Sequence, residues 1–200
     1  KSGKVFYHKA FGYHTYDSLK EVKQDDLYDL ASVTKISTSL AAFMHLKGLG
    51  KFDENHTLGH YLTAAKGTNK ENLKYKDILT HQARLRSWIP FWMSTVKKNG
   101  KRFPIKVADS LYIHRNYARK IYKEIFSSPL NEEPGYVYSD LSFILAPKVV
   151  EEITGESFYS YLEENLYKPL GAGSLTFNPY LKFELDKIVP TEYDSAFRNQ

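Results

Sequence analysis

The chain has 200 residues, 42% of them hydrophobic, and a formal net charge of +5. This length and apolar content are sufficient for a hydrophobic core and exclude extended disorder. Cysteine is absent from the sequence, which excludes disulfides, thiolate metal sites and cysteine nucleophiles. No apolar run reaches the length of a transmembrane helix, and the chain starts at Lys1 without a signal-peptide pattern. We therefore expect one domain over residues 1–200, truncated at both ends, with no transmembrane segment.

Positive charge is densest between Lys97 and Lys106, around the Asn99-Gly100 pair. Such a stretch is compatible with a phosphate or membrane contact, and also with a solvated turn. Because Asn-Gly is typical of turns, the solvated turn is the preferred interpretation. We predict no nucleic-acid partner.

The predicted elements are mostly helical. The first segment, Val5–Phe11, is β-prone and ends at Gly12, so it is predicted to form a strand at the edge of a sheet. From Val33 to Leu46 the apolar residues follow helical spacing, and Gly48 and Gly50 supply stop signals. An irregular segment is predicted at 83–110, a short strand at 175–177, and further helices at about 58–62, 77–81, 116–126, 141–154 and 157–167.

A serine and a lysine three residues apart, Ser32 and Lys35, stand at the start of the first long predicted helix. Residues i and i+3 lie on one face of an α-helix, so the hydroxyl and the amine can meet. An amine whose pKa is lowered by burial can take the serine proton and make the oxygen a nucleophile. The N-terminus of the helix also favours negative charge on an oxygen. Ser32 is therefore a candidate nucleophile, although a simple helix N-cap is an equal expectation from the spacing alone.

The same spacing occurs a second time, at Ser94-Thr95-Val96-Lys97. A lysine-rich turn follows it, so its surroundings are solvated and Lys97 is expected to keep an ordinary pKa. The spacing alone does not identify the site, and the apolar helix that follows Ser32 favours the first instance.

Four ordered motifs resemble those of one enzyme family. Residues 31–35, Ala-Ser-Val-Thr-Lys, resemble the nucleophile motif of serine β-lactamases and penicillin-binding proteins, in particular the class C β-lactamase-like esterases and D-Ala-D-Ala peptidases. Residues 134–140 resemble that group's Tyr-x-Asn element, which follows a Pro-Gly turn, and residues 77–82 and 161–171 resemble two further segments. The resemblance implies an α+β fold of the β-lactamase/transpeptidase type. This chain would hold mostly its helical region and one edge of the antiparallel sheet, with the late strands missing.

The resemblance also assigns roles to residues. Ser32 would attack a carbonyl to form an acyl-enzyme, and its own N–H would supply half of the oxyanion hole. Lys35 and Tyr138 would share the base and acid roles. Asp140 stands where the family has Asn, and a carboxylate there favours a charged Lys35. Lys35 would then act mainly as a cation that stabilises the Tyr138 phenolate, which takes the Ser32 proton, while Asp140 orients Lys35 or the substrate.

The family's third motif, Lys-Thr-Gly or His-x-Gly on a late strand, has no match in this sequence. The Lys-x-Gly triplets at residues 1–3 and 98–100 both precede Tyr138 and lie in predicted turns. We therefore expect a serine hydrolase of amides, esters or β-lactams that is either active or inactive as this piece of chain. No metal or cofactor is expected. The expected substrate is a small molecule or derives from peptidoglycan, the expected location is the bacterial periplasm or cell envelope, and the oligomeric state is left open.

Three histidines and two tryptophans are further candidates for functional sites. His56 and His60 have the spacing of a metal pair but lack a third ligand, so a surface pair is preferred. His81 is expected to be a structural hydrogen-bonding residue rather than a catalytic base. Trp88 and Trp92 are candidates for substrate binding by stacking on sugar or acyl groups, and packing of a lid segment is an equal alternative.

A different class of function also fits the sequence. Domains that resemble this one occur in some bacteria behind a glycoside hydrolase of the β-N-acetylhexosaminidase type. The chain would then be an auxiliary module that binds glycan or peptidoglycan through residues 88–92. A third interpretation is a purely structural helical domain, in which Lys35 titrates normally and lies far from Tyr138.

Overall fold

The computed structural model describes residues 1–95, 99–108 and 111–191. The chain divides into two compact units. The terminal unit comprises Lys1–Thr34 and the segment from Leu162 onward, and the helical unit comprises Lys35–Tyr161. Among the described residues, no helix combines the length and the apolar character needed to cross a membrane.

Most of the regular structure belongs to the helical unit. It begins with a π-helical turn at Lys35–Leu40, which continues into α1 at Ala41–Gly48. The two longest helices are α4 at Tyr117–Ser127 and α5 at Leu141–Thr154. The shorter elements are α2 at Leu58–Tyr61, a 3₁₀ turn at Thr63–Ala65, α3 at Tyr75–Leu79, a 3₁₀ turn at Phe91–Ser94 and α6 at Phe158–Leu162.

The terminal unit contains little regular structure among its described residues. A π-helical turn spans Glu163–Tyr167, and 3₁₀ turns span Pro179–Leu181 and Leu185–Lys187. Leu27 and Ile188 form a parallel bridge, in which the Leu27 N–H donates to the Lys187 carbonyl at 2.7 Å. This bridge ties the early and late segments of the unit together.

The sheet lies in a different place from the one predicted. Strand β1, Ile105–Ala108, pairs antiparallel with β2, Leu111–Ile113, with Ile105 opposite Ile113. The sequence predicted an irregular segment up to residue 110 and strands at Val5–Phe11 and 175–177. Neither of these two segments is a strand among the described residues. A β-prone segment becomes a strand only where a neighbouring strand supplies hydrogen bonds and a packed face, and Val5–Tyr7 is exposed to solvent.

The helix predictions are confirmed more closely. Helix α5 has the predicted limits, and Gly155 ends it with a φ of +76°. Helix α1 ends in a Schellman motif, in which the Lys51 N–H donates to the Leu46 carbonyl at 2.9 Å. Gly50, with a φ of +69°, supplies the left-handed residue that this motif requires. Gly50 therefore acts as the stop signal that the sequence predicted.

An aromatic cluster forms the centre of the helical unit. Phe43 of α1 stacks on Phe52 with 4.6 Å between ring centroids, and Tyr75 of α3 meets Phe52 edge-on at 5.1 Å. Tyr61 of α2 stacks on the other side of Phe52 at 5.1 Å. Such ring pairs add about 0.5–1.5 kcal/mol each beyond the burial of their area. The cluster fixes α1 against α2 and α3, and thereby the backbone from which the candidate site is built.

Lys70 is a buried cation in the loop before α3. It is fully inaccessible to solvent, and its ammonium donates to the Ser128 carbonyl at 2.6 Å and to Asn69 Oδ1 at 2.8 Å. Ser128 caps the C-terminus of α4, where the helix dipole favours a positive charge. Burial nevertheless lowers the pKa of Lys70 to about 8.

We expect the free energy of unfolding to rise with pH above about 8 because of Lys70. In that window the unfolded chain, in which a lysine has a pKa of about 10.4, binds a proton that the folded protein has released. The contribution is at most about 1.4 kcal/mol per pH unit. Denaturant unfolding between about pH 7 and about pH 9.5 measures it, and Lys70→Met should flatten the rise. The exposed Lys66 of the same loop supplies the control, Lys66→Met, and an undiminished rise in Lys70→Met would contradict the assignment.

Candidate active site

Lys35 lies at the centre of a cluster in the helical unit. Its side chain is only 15% exposed, and its Nζ lies 2.7 Å from Oδ1 of Asp140, the residue before α5. The same Nζ lies 5.0 Å from the centre of the Tyr138 ring and 5.8 Å from that of Phe143. At these distances the faces of aromatic rings attract a cation. The ammonium is thus surrounded by one carboxylate and two rings.

The surroundings of Lys35 keep it charged. Burial alone lowers the pKa of Lys35, but hydrogen bonds with the Asp140 and Tyr138 side chains, and their charges, outweigh burial and raise the pKa above its usual value. Lys35 is therefore an ammonium ion at neutral pH. This is the effect that the sequence predicted for a carboxylate at position 140. It contradicts the interpretation of a structural domain in which Lys35 titrates normally and lies far from Tyr138.

The turn Tyr138-Ser139-Asp140 is anchored by its middle residue. Ser139 is buried, and its Oγ donates to the Arg86 carbonyl at 2.6 Å and accepts the Leu141 N–H at 3.2 Å. Ser139 therefore satisfies an N–H in the first turn of α5, a task that the aspartate before a helix often performs. The Asp140 side chain makes no such capping bond and is directed to Lys35 instead. Tyr138, at the other end of the turn, remains 42% exposed.

His81 joins this turn from the end of α3. Its Nδ1 accepts the Ser139 N–H at 3.0 Å, and its carbonyl accepts the Val137 N–H at 2.9 Å. Burial, followed by the charge of Lys35, lowers the pKa of His81. His81 is thus a hydrogen-bonding residue, as the sequence predicted.

Ser32 belongs to the terminal unit, where it is exposed in a turn three residues before Lys35 in the chain. The preceding residue, Ala31, has a φ of +43°, and its N–H donates to Asp29 Oδ1 at 2.7 Å. A left-handed backbone costs a residue with a Cβ about 1–2 kcal/mol. Backbone strain of this kind often occurs at functional positions, and Ala31 shares it with five other non-glycine residues of the described chain.

The second Ser-x-x-Lys spacing leads to a different arrangement. Ser94 lies in the 3₁₀ turn that ends at that residue, and its Oγ accepts a hydrogen bond from Nζ of Lys120 of α4 at 2.8 Å. Val96 and Lys97, with Lys98, lie outside the described residues. Ser94 is thus bonded to a lysine from another element.

The two tryptophans proposed for substrate binding present indole surface to solvent. Trp88 is 56% exposed and Trp92 is 37% exposed. Trp88 follows Ser87, whose carbonyl accepts the Asp140 N–H at 2.8 Å, so the backbone beside Trp88 runs along the Tyr138 turn. Large exposed rings of this kind are available for stacking on a ligand.

Within the described residues, His56 and His60 are not joined by further metal-ligating side chains. The rings of His56 and His60 have centroids 4.1 Å apart, and His56 Nδ1 lies 3.2 Å from Oη of Tyr61. In the ranges that the structure describes, no group of three or more His, Cys, Asp or Glu residues could hold a metal ion.

Two residues of the cluster were missed by sequence reasoning. Ser139 carries the signal of a helix N-terminus, a serine just before an apolar helical run, which could have identified it as an anchor. Phe143 lies in the first turn of α5, three residues after the N-cap Asp140, so the two side chains lie on one side of the helix N-terminus and meet the same ammonium.

The chain is similar to known proteins over most of its length. Residues 1–186 match the family model described as Beta-lactamase. A protein of Escherichia coli (strain K12) named "Putative D-alanyl-D-alanine carboxypeptidase" is 29% identical over 217 aligned positions, which cover all of this chain and 46% of that protein. The chain thus spans about half the length of the curated relatives it matches.

Solved structures show the fold that the sequence predicted. A class C beta lactamase superposes with a TM-score of 0.61 at 16% identity, over 90% of this chain and 44% of that one. A penicillin-binding protein homologue from Caulobacter crescentus gives a TM-score of 0.62 at 14% identity, over 92% of this chain and 45% of that one. The chain therefore has part of the α+β fold of the β-lactamase/transpeptidase type, and by its match over residues 1–186 it belongs to the Beta-lactamase family.

Proposed function

We propose that the protein is a serine hydrolase that forms an acyl-enzyme on Ser32, with an amide, ester or β-lactam carbonyl as its target. The observation that carries this proposal is the Lys35 ammonium held between the Asp140 carboxylate and the Tyr138 ring. Family membership and relatives named as D-alanyl-D-alanine carboxypeptidases support a peptidoglycan-derived substrate. A substrate of that kind favours a location in the cell envelope.

Tyr138 is the proton acceptor in this mechanism. Lys35 already carries its proton at neutral pH, because Asp140 and Tyr138 raise its pKa, so the amine is not available as a base. A phenol ordinarily has a pKa of about 10, and a fixed neighbouring cation stabilises its phenolate. Tyr138 takes the hydroxyl proton of Ser32 while Lys35 remains charged.

The acyl transfer then needs only these side chains and water. Oγ of Ser32 attacks the carbonyl carbon, and the Ser32 N–H stabilises the tetrahedral oxyanion. When the bond to the leaving amine or alcohol breaks, Tyr138 returns the proton to it. Water then loses a proton to the same phenolate and attacks the acyl carbon, and as the bond to Oγ breaks Tyr138 returns this proton to Ser32, which frees the acid product and restores the starting state. Asp140 holds Lys35 in place through both steps.

We expect Ser32→Ala to abolish covalent labelling by a fluorescent penicillin or a fluorophosphonate, because the attacking oxygen is removed. Tyr138→Phe should slow labelling about 10²- to 10⁴-fold, the usual cost of losing a general base. The measurement is the in-gel fluorescence of the labelled full-length protein as a function of reaction time.

Ser94→Ala is the matched control, since Ser94 begins the other Ser-x-x-Lys sequence and bonds to Lys120. It should label like the wild type. Labelling that persists in Ser32→Ala, or that disappears in Ser94→Ala, would exclude Ser32 as the nucleophile.

We expect Asp140→Asn to lower the pKa of Lys35 relative to the wild type, because the carboxylate whose hydrogen bond and charge raise it is removed. Titration of the Lys35 side chain by NMR measures the change. The free energy of unfolding should change by less than about 1 kcal/mol, because Asp140 is half-exposed. Asp25→Asn, which removes the partner of the exposed Lys187 at 2.7 Å, is the control and should leave Lys35 unchanged. A pKa of Lys35 that stays the same or rises in Asp140→Asn contradicts the mechanism.

The exposure of Trp88 favours a second candidate function, an auxiliary glycan- or peptidoglycan-binding module. Trp88→Ala and Trp92→Ala are expected to weaken binding of a muropeptide about tenfold each, the equivalent of about 1.4 kcal/mol of stacking. Isothermal titration calorimetry measures the binding, with Met93→Ala as the control for an exposed apolar neighbour. Binding that survives Ser32→Ala and fails in Trp92→Ala, in a protein that no acylating probe labels, would replace the hydrolase proposal by the binding module.

A further inference from the structure

His81 occupies a backbone position that normally suits glycine. It lies two residues beyond α3 with a φ of +60°. The Gln82 N–H donates to the Asp77 carbonyl at 2.7 Å and the His81 N–H to the Ile78 carbonyl at 3.3 Å, the two bonds of a Schellman motif. Glycine is the usual residue at this left-handed position, because a Cβ there costs about 1–2 kcal/mol. Backbone strain that persists at such a position indicates that the side chain has a function.

The His81 side chain and carbonyl hold both flanks of Tyr138. The carbonyl accepts the N–H of Val137, the residue before Tyr138, and Nδ1 accepts the N–H of Ser139, the residue after it. The imidazole also lies against the phenol, with 4.5 Å between ring centroids and 36° between ring planes. One residue thus restrains the backbone on each side of the tyrosine and the ring itself.

We propose that His81 is a positioning residue of the candidate site, which holds Tyr138 beside the Lys35 ammonium and does so only as a neutral imidazole. The inference rests on the proposed function, since it concerns the residue that would take the proton of Ser32. Nδ1 can accept a hydrogen bond only when it carries no proton, so the single proton of the neutral ring belongs on Nε2. A protonated ring would turn a donor towards the Ser139 N–H and break this bond.

The groups that face His81 favour the neutral ring. They are the Lys35 ammonium, the Asp140 carboxylate and the phenols of Tyr136 and Tyr138. Burial and the charge of Lys35 lower the pKa of His81, and the charge of Asp140 opposes them. Because the folded protein binds this proton less readily than the unfolded chain, the restraint is complete at neutral pH and is lost as the pH falls through the lowered pKa.

Two variants separate positioning from packing. His81→Asn keeps an acceptor, because Asn Oδ1 takes the place of Nδ1, it tolerates a left-handed backbone and it does not titrate. His81→Gly keeps the backbone conformation without strain and removes the acceptor. The measurement is the rate of acylation by a fluorescent penicillin as a function of pH.

We expect the acylation rate of the wild type to fall on the acid side and that of His81→Asn to fall at least about threefold less over the same pH range, because only the proton acceptor Tyr138 then responds to pH. His81→Gly should be about 10- to 100-fold slower at neutral pH, the cost of a misplaced catalytic group, with unfolding no easier than in the wild type. Wild-type rates in His81→Gly, or an acid limb that persists unchanged in His81→Asn, would overturn the inference while leaving the hydrolase proposal intact.

A second readout needs no activity. Nitrogen-15 NMR of the imidazole should place the proton on Nε2 at neutral pH, and hydrogen exchange of the Ser139 amide should accelerate in His81→Gly but not in His81→Asn. A proton on Nδ1, or unchanged Ser139 exchange in His81→Gly, overturns the inference. If no probe acylates the wild type, the function proposal fails and these two signals still decide whether His81 holds the turn.

Discussion

The geometry of the candidate site depends on how the charge of Lys35 is balanced. A cation with 15% of its side chain exposed has lost most of its hydration, and such a charge is costly unless it is paired. Asp140 supplies the counter-charge from the N-terminus of α5, where the helix dipole also favours a carboxylate. The ion pair therefore links the π-helical turn before α1 to the start of α5. Tyr138 and Phe143 complete the enclosure from the same end of α5.

This balance determines what the site can do chemically. Because Asp140 favours a protonated Lys35, the proposed mechanism assigns the proton of the nucleophile to another group, and of the two rings beside the cation only Tyr138 carries a hydroxyl. Tyr138 is 42% exposed, so packing alone does not fix it. Its position is instead determined by its neighbours, through buried Ser139 and through the two backbone hydrogen bonds that His81 accepts. The backbone around Tyr138 is therefore held by hydrogen bonds, while its phenol stays accessible to solvent.

The sequence predicts the parts of the fold that depend on local signals. The limits of α5 follow from its apolar periodicity and from Gly155, both of which act within a few residues. The strands were misplaced, since pairing depends on a partner that propensity does not reveal, and Val5–Phe11 remains exposed. For the site, spacing suggested Lys35, but only the family resemblance connected it to Tyr138 and Asp140. The local signal before α5 indicates Ser139 as a helix start, but its bond to the carbonyl of a residue 53 positions earlier has no local signal.

Some of the departures from regular backbone lie in the segments that carry the candidate site. Lys35 begins a π-helical turn, a form that occurs mostly as short insertions and frequently at functional sites. Ala31 and His81 have left-handed backbones without being glycine. Local strain of this kind costs about 1–3 kcal/mol per residue and persists only where the surrounding structure over-determines it. In the helical unit that support comes from the aromatic cluster around Phe52, which fixes α1 and α3 and so holds both the turn of Lys35 and the His81 residue at the end of α3. The regular helices therefore serve to keep irregular connections in place, and it is these connections that bring the ammonium, the carboxylate and the phenol together.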